Sequence, residues 1–451
     1  MDAVLILFLT GLISLFVGML KKPAYSLAVN LLGLVLAFLS FWFEGAYVPV
    51  LKVYANALVF NGPQIYLSLS AIFFTLLIMI GNYALLSRDK AHYSDLSALM
   101  LFSLSGALCL IGFKDFFMFF IGLEIMSIPV YVLVGSQKDK HSASEAALKY
   151  FFTGAFATAI LLFGIALVFG ATGSFNINEI GFAVMSGIYV PAYMIAGILM
   201  ILAALLFKVG AFPFHFWNPD VYQGSSKSVM AFMSSVVKIA GFVAIYKLID
   251  TTFQGLNTQW TYFLYIVIIA SMFIGYLSAI KQSSLKRLLA YSGISNTGIG
   301  LLSLMNGSIN GERDLLVFLL GYGASSVLIL FISQMISEED DDLKTLEGIG
   351  HNKPFLGIAL IVALLSLSGI PPFTGFFGKF LLIKHSIELH PILSIAAILS
   401  SVIGAYVYLN LILSIFKSNF EIKPIKSDWS VYSVVILSLI ILMGGWILIL
   451  I

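Results

Sequence analysis

The chain has 451 residues, 60% of them hydrophobic and only 10% charged, with a mean hydropathy of +1.03. A soluble domain is about 25% charged, so this composition excludes a water-soluble enzyme and defines an all-α polytopic membrane protein. A net charge of +2 gives no footing for nucleic acid, and the single cysteine, Cys109, excludes a disulfide framework or a cysteine-ligated cluster within the chain.

Apolar runs of about 17–25 residues cross a bilayer as helices. In chain order they predict about fourteen spans, at 3–20, 24–43, 64–86, 95–112, 115–135, 146–170, 190–213, 227–249, 259–280, 287–306, 314–336, 355–388, 391–416 and 430–450. The first is a span and not a signal peptide, because Lys21 and Lys22 follow the apolar run instead of preceding it. The seventh run carries Lys208 and is interrupted at Pro213. A polar loop with Trp217, Pro219 and Asp220 comes next, and the eighth run carries Lys238. The twelfth run is too long for one straight crossing and contains Pro371-Pro372, which predicts a second break.

Spans 4–8 and 9–13 each place a broken, lysine-bearing helix in fourth position. An odd unit repeated in tandem runs in opposite directions, which predicts two inverted five-helix repeats with helices 7 and 12 broken. The single transmembrane domain then divides into helices 1–3 (1–94), repeat one (95–249), repeat two (259–416) and helix 14 (430–450). With the N-terminus outside, inner loops hold 15 lysines and arginines and outer loops hold 5. The positive-inside bias therefore puts both termini on the outer side. The acidic run Glu338-Glu339-Asp340-Asp341-Asp342 in the longest inner loop suits either a solvated loop or a docking surface.

Four lysines fall inside spans, Lys149, Lys208, Lys238 and Lys379, and one carboxylate, Glu124, lies well inside the fifth. Each such charge costs roughly 2.5–3.5 kcal/mol on insertion scales. Burial favours neutral lysine and a nearby carboxylate favours the ammonium. A lysine whose partner approaches or withdraws is therefore switched between states, as a proton relay requires. Lys149 follows Glu145 by four, which equally suits a helix-end ion pair. His215, beside Phe214, Phe216 and Trp217, suits a proton shuttle or an interfacial anchor. Asp220 pins the loop or takes part in proton transfer. The stretch YSGISNTGIG (291–300) packs helices closely or holds water. There is no GxGxxG after a strand, no Walker sequence and no HExxH. Energy for transport must then come from a gradient or a partner.

Four stretches carry a resemblance: FIGLEIMSIPVYVLVG, SASEAALKYFFTGAFATAILLFGIALVFGATGS, FKVGAFPFHFWNPDVYQG and SGIPPFTGFFGKF. In this order they resemble the antiporter-like subunits of respiratory complex I, above all the subunit N family of bacterial NADH–quinone oxidoreductase. PDVY stands where the paralogous subunits and the multisubunit sodium/proton antiporters have a PDAH-like sequence. The resemblance implies a fourteen-helix bundle and a proton relay from Glu124 through Lys149, Lys208 and Lys238 to Lys379. It also implies a translocase subunit of the bacterial inner membrane, with no cofactor in this chain. NADH, FMN, iron–sulfur clusters and quinone belong to partner subunits, and neighbouring antiporter-like and small helical subunits and the lipid bilayer are the expected contacts. Asn296 stands where the family usually has a histidine, and SSKS after Gly224 where it has an alanine–proline sequence. Two alternatives remain at this point, a multisubunit sodium/proton antiporter subunit and a non-conducting scaffold.

Overall fold

In hydrocarbon every backbone N–H and C=O must be paired within the chain, so apolar spans fold as helices. The computed structural model describes residues 2–43, 57–60, 62–85, 90–186, 190–305, 308–337, 340–417 and 429–444. Its spans are Asp2–Gly18, Pro23–Phe43, Gly62–Leu85, Lys90–Gly112, Phe116–Val134, His141–Thr172, Ala192–Val209 with Trp217–Gly224, and Lys227–Thr252. They continue with Asn257–Ala279, Leu285–Met305, Ser308–Ile336, Pro354–Ser368 with Thr374–Ser386, Pro391–Ile415 and Trp429–Met443. Among the described residues, eleven helices are by themselves long and apolar enough to cross a membrane.

Two elements differ from the sequence-based expectation. The polar loop after Pro213 is largely helical, at Trp217–Gly224, and forms the second half of the seventh span. A short helix at Ile177–Met185, which the span pattern does not register, follows the sixth. Asn176 caps it by accepting from Asn178 N at 2.9 Å, and its apolar side buries Ile177, Ile180 and Val184.

The two breaks are built alike. Gly210 (φ 73°) and Gly369 (φ 81°) end the first half-helices in the left-handed conformation, and Pro213 and Pro372 follow at the same spacing. Glycine takes this conformation without a Cβ penalty. The peptide bonds Phe212–Pro213 and Pro371–Pro372 are both cis.

The loops predicted to share a side do meet. Ser284 pairs with Asp342 at one end of the bundle, whereas Leu58–Phe113 and Asp115–Asn176 pair at the other. At the first, lysine-rich end, Lys227 is buried and donates to the carbonyls of Ser337 (2.7 Å), Asp340 (2.9 Å) and Ser333 (3.3 Å), closing the C-terminus of the eleventh span. Lys286 does the same for the seventh, through Gln223 O (2.6 Å) and Ser225 O (3.0 Å). A cation at a helix C-terminus pairs both orphan carbonyls and the helix dipole. The acidic run is largely structural here. Asp341 accepts from Ser284 at 2.5 Å and Asp342 caps Leu343–Leu346, while Glu338 and Glu339 lie outside the described residues. So do Lys52, Arg88, Lys423 and Lys426 of the charge count.

Replacing Lys227 by methionine takes a charged donor from the part-buried Ser337 and Asp340 carbonyls, at about 1–3 kcal/mol. The unfolding midpoint of the purified protein in detergent should fall, and an unchanged midpoint would contradict the clamp.

Candidate functional site

Lys208 occupies the last turn before the first break, 5% exposed. Its Nζ donates to Ser127 Oγ at 2.6 Å, and Ser127 in turn donates to Leu123 O at 2.5 Å. The rings of Tyr131 and Tyr150 lie 5.7 Å from the same nitrogen, within cation–π range. Gly154 makes room for Tyr131, since a Cβ there would lie 2.2 Å from the tyrosine hydroxyl. Trp217 stacks on Tyr150 at 4.6 Å and donates to Phe207 O at 3.0 Å, tying the second half-helix to the first across the break.

Among the described residues, Glu124 does not hydrogen-bond Lys208. It is half-buried and accepts from Thr158 at 2.8 Å. The cause is helical geometry: Ser127, three residues on, reaches Lys208, whereas Glu124 meets the sixth span. Lys149 makes the helix-end ion pair with Glu145 that its spacing allowed. It is not buried, its side chain being 45% exposed, and it pairs with Glu145 and Asp220 at 2.8 Å each. Asp220 also binds Arg287 at 3.0 Å, so it pins the half-helix to both the sixth and tenth spans. Lys149 and Asp220 line a cavity of about 340 Å³ at the lysine-rich end, with Lys140, Glu145, Lys286 and Asp341.

Lys238 directly follows a π-helical turn, Met233–Val237, in the almost wholly enclosed eighth span. Such turns recur at functional sites because the extra residue re-aims the next turn of helix. Its Nζ donates to Gly293 O (2.8 Å) and to the Tyr322 hydroxyl (3.1 Å). The stem of Lys208 packs on the same span, where a Cβ at Gly241 would lie 3.9 Å from Lys208 Cγ. Lys379 sits beyond the second break and donates to Leu367 O (2.6 Å) and the Tyr276 hydroxyl (3.4 Å). Leu367 is in the last turn before that break, so its carbonyl is one of those the interruption frees.

His215 is buried between aromatics, stacked on Phe216 at 4.4 Å and tilted on Phe212 at 5.7 Å, and its Nδ1 has no hydrogen-bond partner. Asn296 donates to Ser292 O at 2.9 Å. The structure thus brings Lys208, Lys238 and Lys379 into one interior and leaves Glu124 and Lys149 towards its margin. Sequence reasoning missed Ser127, Tyr131, Tyr150, Tyr276 and Tyr322. Of these only Ser127, one turn from Glu124, had a local signal.

Three amines are thus held by hydroxyls, carbonyls and rings, with no carboxylate among the described residues at hydrogen-bond distance. Such groups can take up or release a proton without breaking an ion pair.

Residues 114–404 match the family model described as NADH:quinone oxidoreductase/Mrp antiporter, transmembrane. The chain belongs to this family. Within it, the chain is 35% identical to NADH-quinone oxidoreductase subunit N of Cytophaga hutchinsonii over 98% of this chain and 97% of that one. It is 31% identical to subunit N of Flavobacterium psychrophilum over 98% of both. Among solved structures, a chain of respiratory complex I from Thermus thermophilus with bound aureothin superposes with a TM-score of 0.84 at 29% identity, over 98% of this chain and 96% of that chain. A chain of the Mrp complex from a Dietzia species shares the fold, with a TM-score of 0.78 at 22% identity over 95% and 82% of the two chains.

In this member of the family a Cβ at Gly293 would lie 2.9 Å from the Tyr322 hydroxyl and 3.4 Å from Lys238 Nζ. Overpacking of that kind costs about 1–3 kcal/mol. Gly293→Ala should lower quinone-reductase turnover several-fold while the protein still assembles. Full turnover would show that the Lys238–Tyr322 contact is dispensable.

Proposed function

We propose that this chain is the proton-translocating subunit N of an NADH–quinone oxidoreductase membrane arm. Protons move along Glu124, Lys149, Lys208, Lys238 and Lys379, driven by redox chemistry in other subunits that hold the cofactors. The observation that carries this reading is the set of three lysines, each at most 5% exposed, whose ammonium groups meet only neutral partners. Keeping them there costs several kcal/mol per charge, which selection for stability alone would remove.

Each residue then has a part. Lys149 and Asp220 border the cavity at the lysine-rich end and take up protons there. Ser127 bridges Glu124's helix to Lys208, so a charge arriving beside Glu124 favours the ammonium of Lys208, and its departure favours release to Lys238. Glu124 lies towards an apolar margin that exposes Phe117, Phe152 and Phe156, where a neighbouring subunit can alter its charge state. His215 anchors the break and carries no proton. The lysine-rich end faces the cytoplasm and both termini face outward, as the loop charges require. The matched Gly210–Pro213 and Gly369–Pro372 breaks support two inverted repeats over 95–249 and 259–416.

Lys208→Met keeps the volume and removes the titratable group. In an assembled complex it should abolish proton translocation coupled to quinone reduction. Undiminished translocation would sink the assignment, and sodium-dependent proton exchange without redox partners would favour an antiporter subunit instead.

A further inference from the structure

Around the hydroxyl partners of Lys238 and Lys379 lies a cluster whose other members, Asn296 and Tyr408, meet neither lysine. Tyr276 of the ninth span, Asn296 of the tenth, Tyr322 of the eleventh and Tyr408 of the thirteenth come together there, all buried. Tyr276 and Tyr408 meet edge-on at 6.2 Å. Tyr276 is fitted closely, because a Cβ at Gly404 would lie 2.4 Å from its Cζ. Its hydroxyl is a partner of Lys379, as that of Tyr322 is of Lys238.

Among the described residues, Asn296 Oδ1 and the Tyr408 hydroxyl lie close to one another and to Tyr276, yet neither makes a hydrogen bond of good geometry. Each orphan costs about 1–3 kcal/mol if it stays unpaired. They share a neighbour in Tyr276. A buried water typically makes about three hydrogen bonds to such groups, and Asn296, Tyr408 and Tyr276 supply three. An amide at 296 holds such a water but cannot itself titrate.

We propose that Tyr276, Tyr408 and Asn296 hold an ordered water and form with it the hydroxyl bridge that carries protons from Lys238 to Lys379. The proposal rests on the relay reading above and names the residues of its central segment. The ammonium of Lys238 gives a proton to the Tyr322 oxygen as Tyr322 passes its own to the water. The water passes one to Tyr276, and Tyr276 gives its own to the neutral amine of Lys379. Every hydroxyl and the water end with the protons they began with. Lys238 ends neutral and Lys379 ends as the ammonium.

The test is Tyr276→Phe in the intact complex, which keeps the ring against Gly404 and Tyr408 and removes only the hydroxyl. A positioned proton carrier is worth about 10²–10⁴-fold, so NADH-driven proton translocation should fall at least about ten-fold with assembly unchanged. Adding Asn296→His to that variant places a titratable group in the cluster beside residue 276 and should recover part of the loss, which a merely structural role for the hydroxyl would not allow. Lys379→Met is measured alongside. Normal translocation in Tyr276→Phe with loss in Lys379→Met overturns the bridge alone, whereas normal translocation in both overturns the relay. If Tyr276→Phe does not assemble, Tyr408→Phe is read by the same criteria.

Discussion

An ammonium group in the interior of a membrane protein must be compensated or it neutralises. In this molecule the compensation comes from neutral acceptors: Ser127 for Lys208, Gly293 O and Tyr322 for Lys238, Leu367 O and Tyr276 for Lys379. A carboxylate at each of these places would lock the lysine as a cation. A wholly apolar pocket would leave it neutral. Hydroxyls and carbonyls lie between these limits, and a modest change nearby then decides the state.

Much of the architecture serves to deliver those acceptors. The second break frees the Leu367 carbonyl, the π-helical turn before Lys238 rotates it towards Gly293, and Gly154 and Gly404 admit tyrosines that no other residue there would admit. The same logic holds the lysine-rich end together, where Lys227 and Lys286 close helix C-termini with their ammonium groups. Lysine therefore has two uses in this chain. At a helix end it meets several carbonyls and is structural, and in the interior it meets one or two neutral groups and remains free to titrate.

The row is also graded. Glu124 and Lys149 lie at the margin, bonded to Thr158, Glu145 and Asp220, while the other three lysines are enclosed. Asp220, joined to both Lys149 and Arg287, ties the sixth and tenth spans to the half-helix that Trp217 anchors from the other side.

Hydropathy, loop charge and two prolines were enough to determine the class of the protein, its spans and its two broken helices, and to single out Glu124 and four lysines as candidates, because burial in lipid acts on each stretch of chain separately. The second half of the seventh span was not legible, since Trp217–Gly224 is polar in composition and becomes helical only where its tryptophan packs on Tyr150. Partner choice was not legible either. That Lys208 takes Ser127 instead of Glu124, that Lys149 sits half exposed, and that Asn296 faces Tyr276 and Tyr408 depend on the rotation of one helix against another. Those rotations are decided by glycines in close contact across spans, such as Gly106 against Met126 and Gly321 against Gly375. Residue types along one chain report how much each segment prefers lipid to water. Only the packed bundle decides which polar groups share the small space left inside it.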